Sequence, residues 1–206
     1  MSDSKIQLDQ LLELSRAPRR LTESDKELLP VYDGSDRFVG YAPRYLCHAL
    51  GLTHKVALCY LIDASRRLLL QTRGDQRLDV AVAGHMSLGD KDTLALVCRE
   101  AREETGLQLR SELLQHVATY KRVSPVRVEK PNERNVEIRD LFVYELSSTE
   151  IDKVGDAFGQ REEKANVTNL GWFTEDAVLA ACSMGNVADG LMDTIGWYLR
   201  WAGKRA

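Results

Sequence analysis

Between Cys98 and Leu107 the chain reads CREAREETGL, three glutamates and two arginines ahead of a glycine. At about 3.6 residues per turn, Glu100, Glu103 and Glu104 share one arc of a helix, while Leu94, Val97, Cys98 and Ala101 gather beside it and are expected to face the interior. Glu100 with Glu104, and Glu100 with Glu103, are like-charge neighbours, each pair destabilising by about 0.2–0.5 kcal/mol. Gly106 is the expected stop, which also puts Glu103 and Glu104 at the negative end of the helix dipole. Local rules broken repeatedly in one place point to a functional site, and a divalent cation would turn the repulsion into coordination. The bland alternative is a solvated charged face neutralised by Arg99 and Arg102.

The rest of the chain must position that helix. With 206 residues and 44% apolar content, it can bury one sizeable core, and it reads as one globular domain. A net charge of −3 gives no basic footprint for a nucleic-acid polymer. Cys47, Cys59, Cys98 and Cys182 lack metal-ligand spacing. The opening MSDSKIQLDQ lacks the apolar run of a signal peptide, and no stretch approaches the roughly 20 apolar residues that span a bilayer. A cytoplasmic location without a membrane role is expected.

Residues 1–29 carry helical spacing at Ile6, Leu8, Leu11, Leu12 and Leu14 and read as an arm preceding a domain at 30–206. PVYDGSDRFVGYAP reads as a hairpin turning at Asp-Gly-Ser-Asp, and PRYLCHALG as a short helix ended by Gly51. HKVALCYLID and RRLLLQTR are expected to be central strands, followed by the periodic helix DTLALVCREAREETG. Strands are expected at LLQHVATYKRV, VEIRDLFVYEL and VTNLGWF, and terminal helices at EDAVLAACS and GLMDTIGWYLRWAG. The long polar loops fall at about 124–136 and 150–165. The class is therefore α/β, without a repeat.

The stretch GHMSLGDKDTLALVCREAREETGL resembles the Nudix box: glycine, five residues, glutamate, seven residues, then Arg-Glu-hydrophobic-any-Glu-Glu-any-Gly-hydrophobic. Arg99, Glu100, Ala101, Glu103, Glu104, Gly106 and Leu107 match every fixed position of the second half. In the first half Gly84 and Asp90 keep the glycine-to-acid spacing but leave one residue too many before Arg99. One extra loop residue explains this, and such an insertion is thermodynamically mild. From about residue 30 to the C-terminus the chain also resembles the branch of Nudix proteins related to isopentenyl diphosphate isomerase, with the same hairpin, short helix, two histidines and LLLQ-x-R strand. The isomerases place a cysteine just before the Gly-His that opens the box, and here that residue is Ala83. Without a thiol the isomerase's proton transfers lack a partner, so hydrolysis is favoured.

The resemblance implies a Nudix-type α/β/α sandwich, a mixed sheet flanked by helices. It implies Mg²⁺ or Mn²⁺ held by Glu103 and Glu104, Glu100 as ligand or base, Arg99 orienting the carboxylates, and the Gly84 carbonyl adding an oxygen. A later acid often joins as ligand or base. Glu137 occupies that place on its strand, with Glu133 as the alternative and an exposed strand acid as the bland one. His48, His54 and His85 resemble the isomerases' metal histidines, but in a hydrolase they are expected to be satisfied by local hydrogen bonds. Arg73, Arg127, Lys130 and Arg134 are candidate phosphate contacts or merely solvated cations. Trp172, Trp197 and Trp201 are expected to pack in the core, and Cys98 to be a small buried residue.

Three functional classes follow. The first is a metal-dependent hydrolase of a nucleoside diphosphate derivative or related organic diphosphate. The others are an isoprenoid diphosphate isomerase and a non-catalytic Nudix-fold module that binds a nucleotide. The expected partner is a small-molecule diphosphate, and a homodimer is compatible with the sequence.

Overall fold

The computed structural model describes residues 26–124, 134–154 and 167–204. Arg127, Lys130 and Glu133, and all but the last few residues of the N-terminal arm, lie outside them. The fold is α/β, a mixed sheet flanked by helices. The chain forms two compact units, each built from three separate segments. The first comprises the chain up to Val56, His85–Asp90 and Tyr120–Arg139, and the second Ala57–Gly84, Lys91–Thr119 and Asp140 onward. No linker divides them, because the chain passes between the two repeatedly.

In the first unit, β1 (Leu28–Tyr32) and β2 (Phe38–Pro43) pair antiparallel from Leu28 opposite Pro43 to Tyr32 opposite Phe38. The expected turn forms: Asp33 accepts hydrogen bonds from the Ser35 and Arg37 N–H groups at 2.8 and 3.1 Å and from Arg37 Nε at 2.9 Å. Asp36, at φ 58°, completes it in the left-handed region. Helix α1 (Arg44–Leu50) follows and ends at Gly51, φ 68°. Cys47 on its inner face packs with Leu29 and Val31 against Ala42 and Leu52. Strand β3 (Thr53–Ile62) begins beside β1, with His54 opposite Val31.

In the second unit the later residues of β3 pair with β4 (Leu68–Arg73), which also pairs with β5 (Leu78–Val80) and β9 (Val167–Phe173). Leu58, Tyr60, Leu61, Leu68, Leu69 and Leu70 are fully buried, the continuous apolar run of strands covered on both faces. The β3–β4 turn repeats the first one: Asp63 accepts from the Arg67 N–H at 2.8 Å and Arg67 Nε at 2.7 Å, and Arg66 sits at φ 62°. The β4–β5 turn has the same backbone pattern with Gln76 at φ 66°.

Strand β6 (Val82–His85) leads toward α2 (Thr93–Thr105), which starts under an Asp92 cap bonded to the Ala95 N–H at 2.8 Å. After β7 (Gln115–Val123) and β8 (Val136–Glu145) comes a single turn, α3 (Ser148–Ile151), closed by a Ser147–Glu150 capping box. Helices α4 (Glu175–Ser183) and α5 (Asp189–Gly203) finish the chain. Tyr60 reaches Thr194 of α5 through a 2.8 Å hydroxyl contact in the core. Trp197 is 38% exposed under the Arg200 guanidinium, correcting the expectation that it packs inside. Trp172 and Trp201 are half-buried. Among the described residues no helix is long and apolar enough to cross a membrane.

Candidate active site and candidate metal centre

Helix α2 presents its carboxylates as its spacing requires, and Gly106 ends it at φ 73°. The buried face is Leu96, Val97, Glu100, Ala101 and Thr105, so it is turned from the expected stripe: Leu96 replaces Leu94, and Cys98 is only partly covered. The apolar residues alone gave the wrong centre because Glu100 itself belongs to the interior, 7% exposed. Gly84 makes room for it. A Cβ there would stand 2.0 Å from Glu100 Oε1, closer than real atoms allow.

Arg99 ties the arc together, its Nη1 lying 2.8 Å from Glu100 Oε1 and 3.3 Å from Glu103 Oε2. Glu104 Oε2 accepts the Ala83 N–H at 3.1 Å. These contacts tie all three acids into the packing around α2 and β6. Asp90 sits in a turn in which its carboxylate accepts from the Ser87 N–H at 2.8 Å and the Ser87 hydroxyl at 3.0 Å. Arg73 donates to Asp79 at 3.0 Å, and Arg134 is exposed with its backbone N–H bonded to the His48 carbonyl at 2.7 Å.

The first unit holds a second cluster. His48 on α1, His54 on β3, His85 at the end of β6 and Glu137 on β8 bring one potential ligand atom each within 4.8 Å of one another. His48 Nε2 and His85 Nε2 are 3.3 Å apart, and His85 Nε2 is 3.9 Å from Glu137 Oε1. His54 directs Nδ1 to the Leu52 carbonyl at 2.8 Å, which leaves its fully buried Nε2 without a hydrogen-bond partner. The Met86 N–H bonded to the Lys55 carbonyl at 2.9 Å keeps the chain after His85 beside β3. At His54 the expectation of a histidine fully satisfied by local hydrogen bonds therefore fails at one nitrogen, Nε2. The sequence signal was present in His48, His54 and His85, but four elements supply the candidate donors, so no short spacing motif exists to be read.

Burial favours neutral imidazole at both His54 and His85. It lowers the His54 pKa despite the opposing Leu52 carbonyl, and drives that of His85 well below the usual 6.5, with Arg44 and the other histidines adding to the effect. For Glu137 burial pushes the pKa up, but the Arg139 charge and hydrogen bond outweigh it and hold the carboxyl below its usual range. The unfolded chain thus binds more protons at the histidines than the folded one in weak acid. Their contribution to stability is complete above the unfolded value of 6.5 and is lost as pH falls through it toward the lower folded values. The metal-free protein is expected to melt progressively lower between about pH 7 and about pH 5, and His85→Gln to flatten that profile. Thermal melts at constant ionic strength check it.

Comparison with known proteins agrees with this architecture. The chain belongs to the Nudix family: the NUDIX domain matches residues 52–191, more than half of its length. It is accordingly a pyrophosphatase, an enzyme acting on pyrophosphate bonds of small molecules. No curated protein matches the chain. Among solved structures it resembles the Deinococcus radiodurans protein DR0079, with 21% identity over 82% of this chain and 97% of that one, at a TM-score of 0.58. A NUDIX hydrolase from Nitrosomonas europaea has 17% identity over 72% of this chain and 89% of that one, TM-score 0.52. A MutT protein from Methanosarcina mazei Go1 has 13% identity over 73% and 95%, TM-score 0.50. At these identities the likeness is one of fold.

Proposed function

We propose that the chain hydrolyses the diphosphate linkage of a nucleoside diphosphate derivative or a related organic diphosphate, using Mg²⁺ or Mn²⁺ at Glu100, Glu103 and Glu104. The observation that carries this reading is the packing of Glu100 on Gly84 with Arg99 bridging Glu100 and Glu103. It holds crowded carboxylates toward one another where solvation alone would spread them. The donor set fits the ion, being all-oxygen and anionic. When bound, the ion neutralises the diphosphate and acidifies a water. Glu103 and Glu104 serve as principal ligands. Glu100 ligates or takes the proton from the attacking water, and the Gly84 carbonyl offers a further oxygen. Arg99 fixes the directions of two of the acids. Arg73 and Arg127 are retained as substrate contacts, and four free thiols suit a reducing cytoplasm.

Glu137, assigned from sequence as a further ligand for that ion, is surrounded by three imidazoles in the first unit. We assign it with His48, His54 and His85 to a divalent-cation site within that unit. The unpartnered His54 Nε2 and the two facing Nε2 atoms fit a metal that accepts nitrogen donors. This cluster is also the one observation favouring the isomerase reading, against which stands Ala83 in place of the thiol.

Turnover in ¹⁸O-labelled water, over nucleotide sugars, dinucleotides, CoA and prenyl diphosphates, tests the proposal. One label is expected in a phosphate-bearing product, only with Mg²⁺ or Mn²⁺, and excess EDTA should stop the reaction. Undiminished turnover in EDTA would sink the metal assignment. Solvent deuterium entering the carbon skeleton of isopentenyl diphosphate would establish the isomerase instead.

A further inference from the structure

Asn135, Glu137 and Arg139 lie two residues apart along the segment entering and forming β8, so their side chains share one face of the strand. The two oxygens of Glu137 meet different neighbours there. Oε2 accepts Arg139 Nε at 2.5 Å, with both side chains almost fully buried, 8% and 4% exposed. Oε1 faces His85 Nε2 and accepts the Asn135 amide N–H. The buried Asn135 Oδ1 is left without a partner, as is His54 Nε2.

We propose that Arg139 restricts Glu137 to ligating through Oε1 alone, so that a divalent cation held by His48, His54, His85 and Glu137 keeps a coordination position and takes a phosphate-type oxyanion there. The inference rests on the assignment of a divalent-cation site to this cluster. A carboxylate free on both sides can close on a cation with two oxygens; here the cationic guanidinium draws Oε2 toward itself and away from any second cation, whereas Oε1, on the His85 side, accepts from a neutral amide. Charge points the same way. Among the four donors of the cluster only Glu137 is a carboxylate, and it is shared between the cation and the Arg139 guanidinium, which favours an anion as a further ligand. Arg139 acts through Glu137 and is a positioning residue.

Cobalt(II) provides the probe, because imidazole-rich sites of low coordination number give visible bands far stronger than all-oxygen octahedral ones. The full chain loaded with Co²⁺ should show such bands, and His54→Ala should lose them. Inorganic phosphate should shift the wild-type bands saturably. Arg139→Gln should bind Co²⁺ but respond to phosphate at least tenfold more weakly, and Arg139→Lys, which keeps the charge, should fall between them. If no strong bands form, the cation site and this inference both fail, whatever the turnover assay shows. If bands form but phosphate leaves the wild type unmoved, or moves Arg139→Gln equally, the role of Arg139 is refuted while the cation site stands. The wild-type titration decides the anion claim even if a variant fails to fold.

Discussion

Glu104→Gln should lower turnover by about 2–4 kcal/mol of transition-state stabilisation, roughly 30- to 1,000-fold, while the metal-free protein stays folded. On the proposed assignment, removing one charge takes away a ligand. It also relieves repulsion with Glu100 and an unfavourable contact with the helix dipole, so metal-free stability should hold level or rise by up to about 1 kcal/mol. The structure adds a reason for the fold to survive: a glutamine keeps a carbonyl oxygen to accept the Ala83 N–H that Glu104 now receives. Stabilisation by Mg²⁺ should shrink in the variant by mass action. Melts of both proteins with EDTA and with Mg²⁺, plus one turnover assay, decide the matter. A variant that melts clearly lower without metal yet keeps its activity would make Glu104 a structural residue.

Gly84→Ala is expected to be harmful in both stability and turnover, for a purely steric reason. The added methyl would stand 2.0, 2.2 and 2.6 Å from Glu100 Oε1, Cδ and Cγ, so the glutamate must leave its seat or α2 must move. Forced overpacking costs about 1–3 kcal/mol, and displacing Glu100 from Arg99 should also cost activity. A double-mutant cycle separates the two effects. Glu100→Ala removes the obstructing atoms, so in that background Gly84→Ala should be nearly neutral for stability, with activity lost throughout. Additive destabilisation, measured by denaturant unfolding, would mean that Gly84 and Glu100 do not oppose each other as the structure has them.

Much of the fold was legible because local chemistry and periodicity agree in it. VTNLGWF and EDAVLAACS coincide with β9 and α4, and the Asp33 turn and the Gly51 and Gly106 stops fall as expected. Strands β5 and β6 were missed since three or four residues are too few to establish an alternation. The acidic helix was readable as a candidate site from its own like-charge crowding. The buried position of Glu100 was not, because it depends on Gly84, whose missing side chain registers only once the two residues meet in space. The histidines were legible only through the resemblance to the isomerases: nothing in their own segments joins them, and tertiary structure brings the four donors together.

The turns of the hairpins bear on how the chain tolerates change. Asp36, Arg66 and Gln76 each occupy a left-handed position where a three-residue hairpin loop ordinarily carries glycine. Left-handed backbone costs a side-chain-bearing residue about 1–2 kcal/mol, and the Asp33–Arg37 and Asp63–Arg67 clamps hold two of these turns shut against that strain. Glycine gives back about 0.5–1 kcal/mol of the relief through unfolded-chain entropy. The three sites are thus separate, local reserves of unused stability at the ends of strands, from which losses incurred at the crowded acidic helix could be made good without touching it.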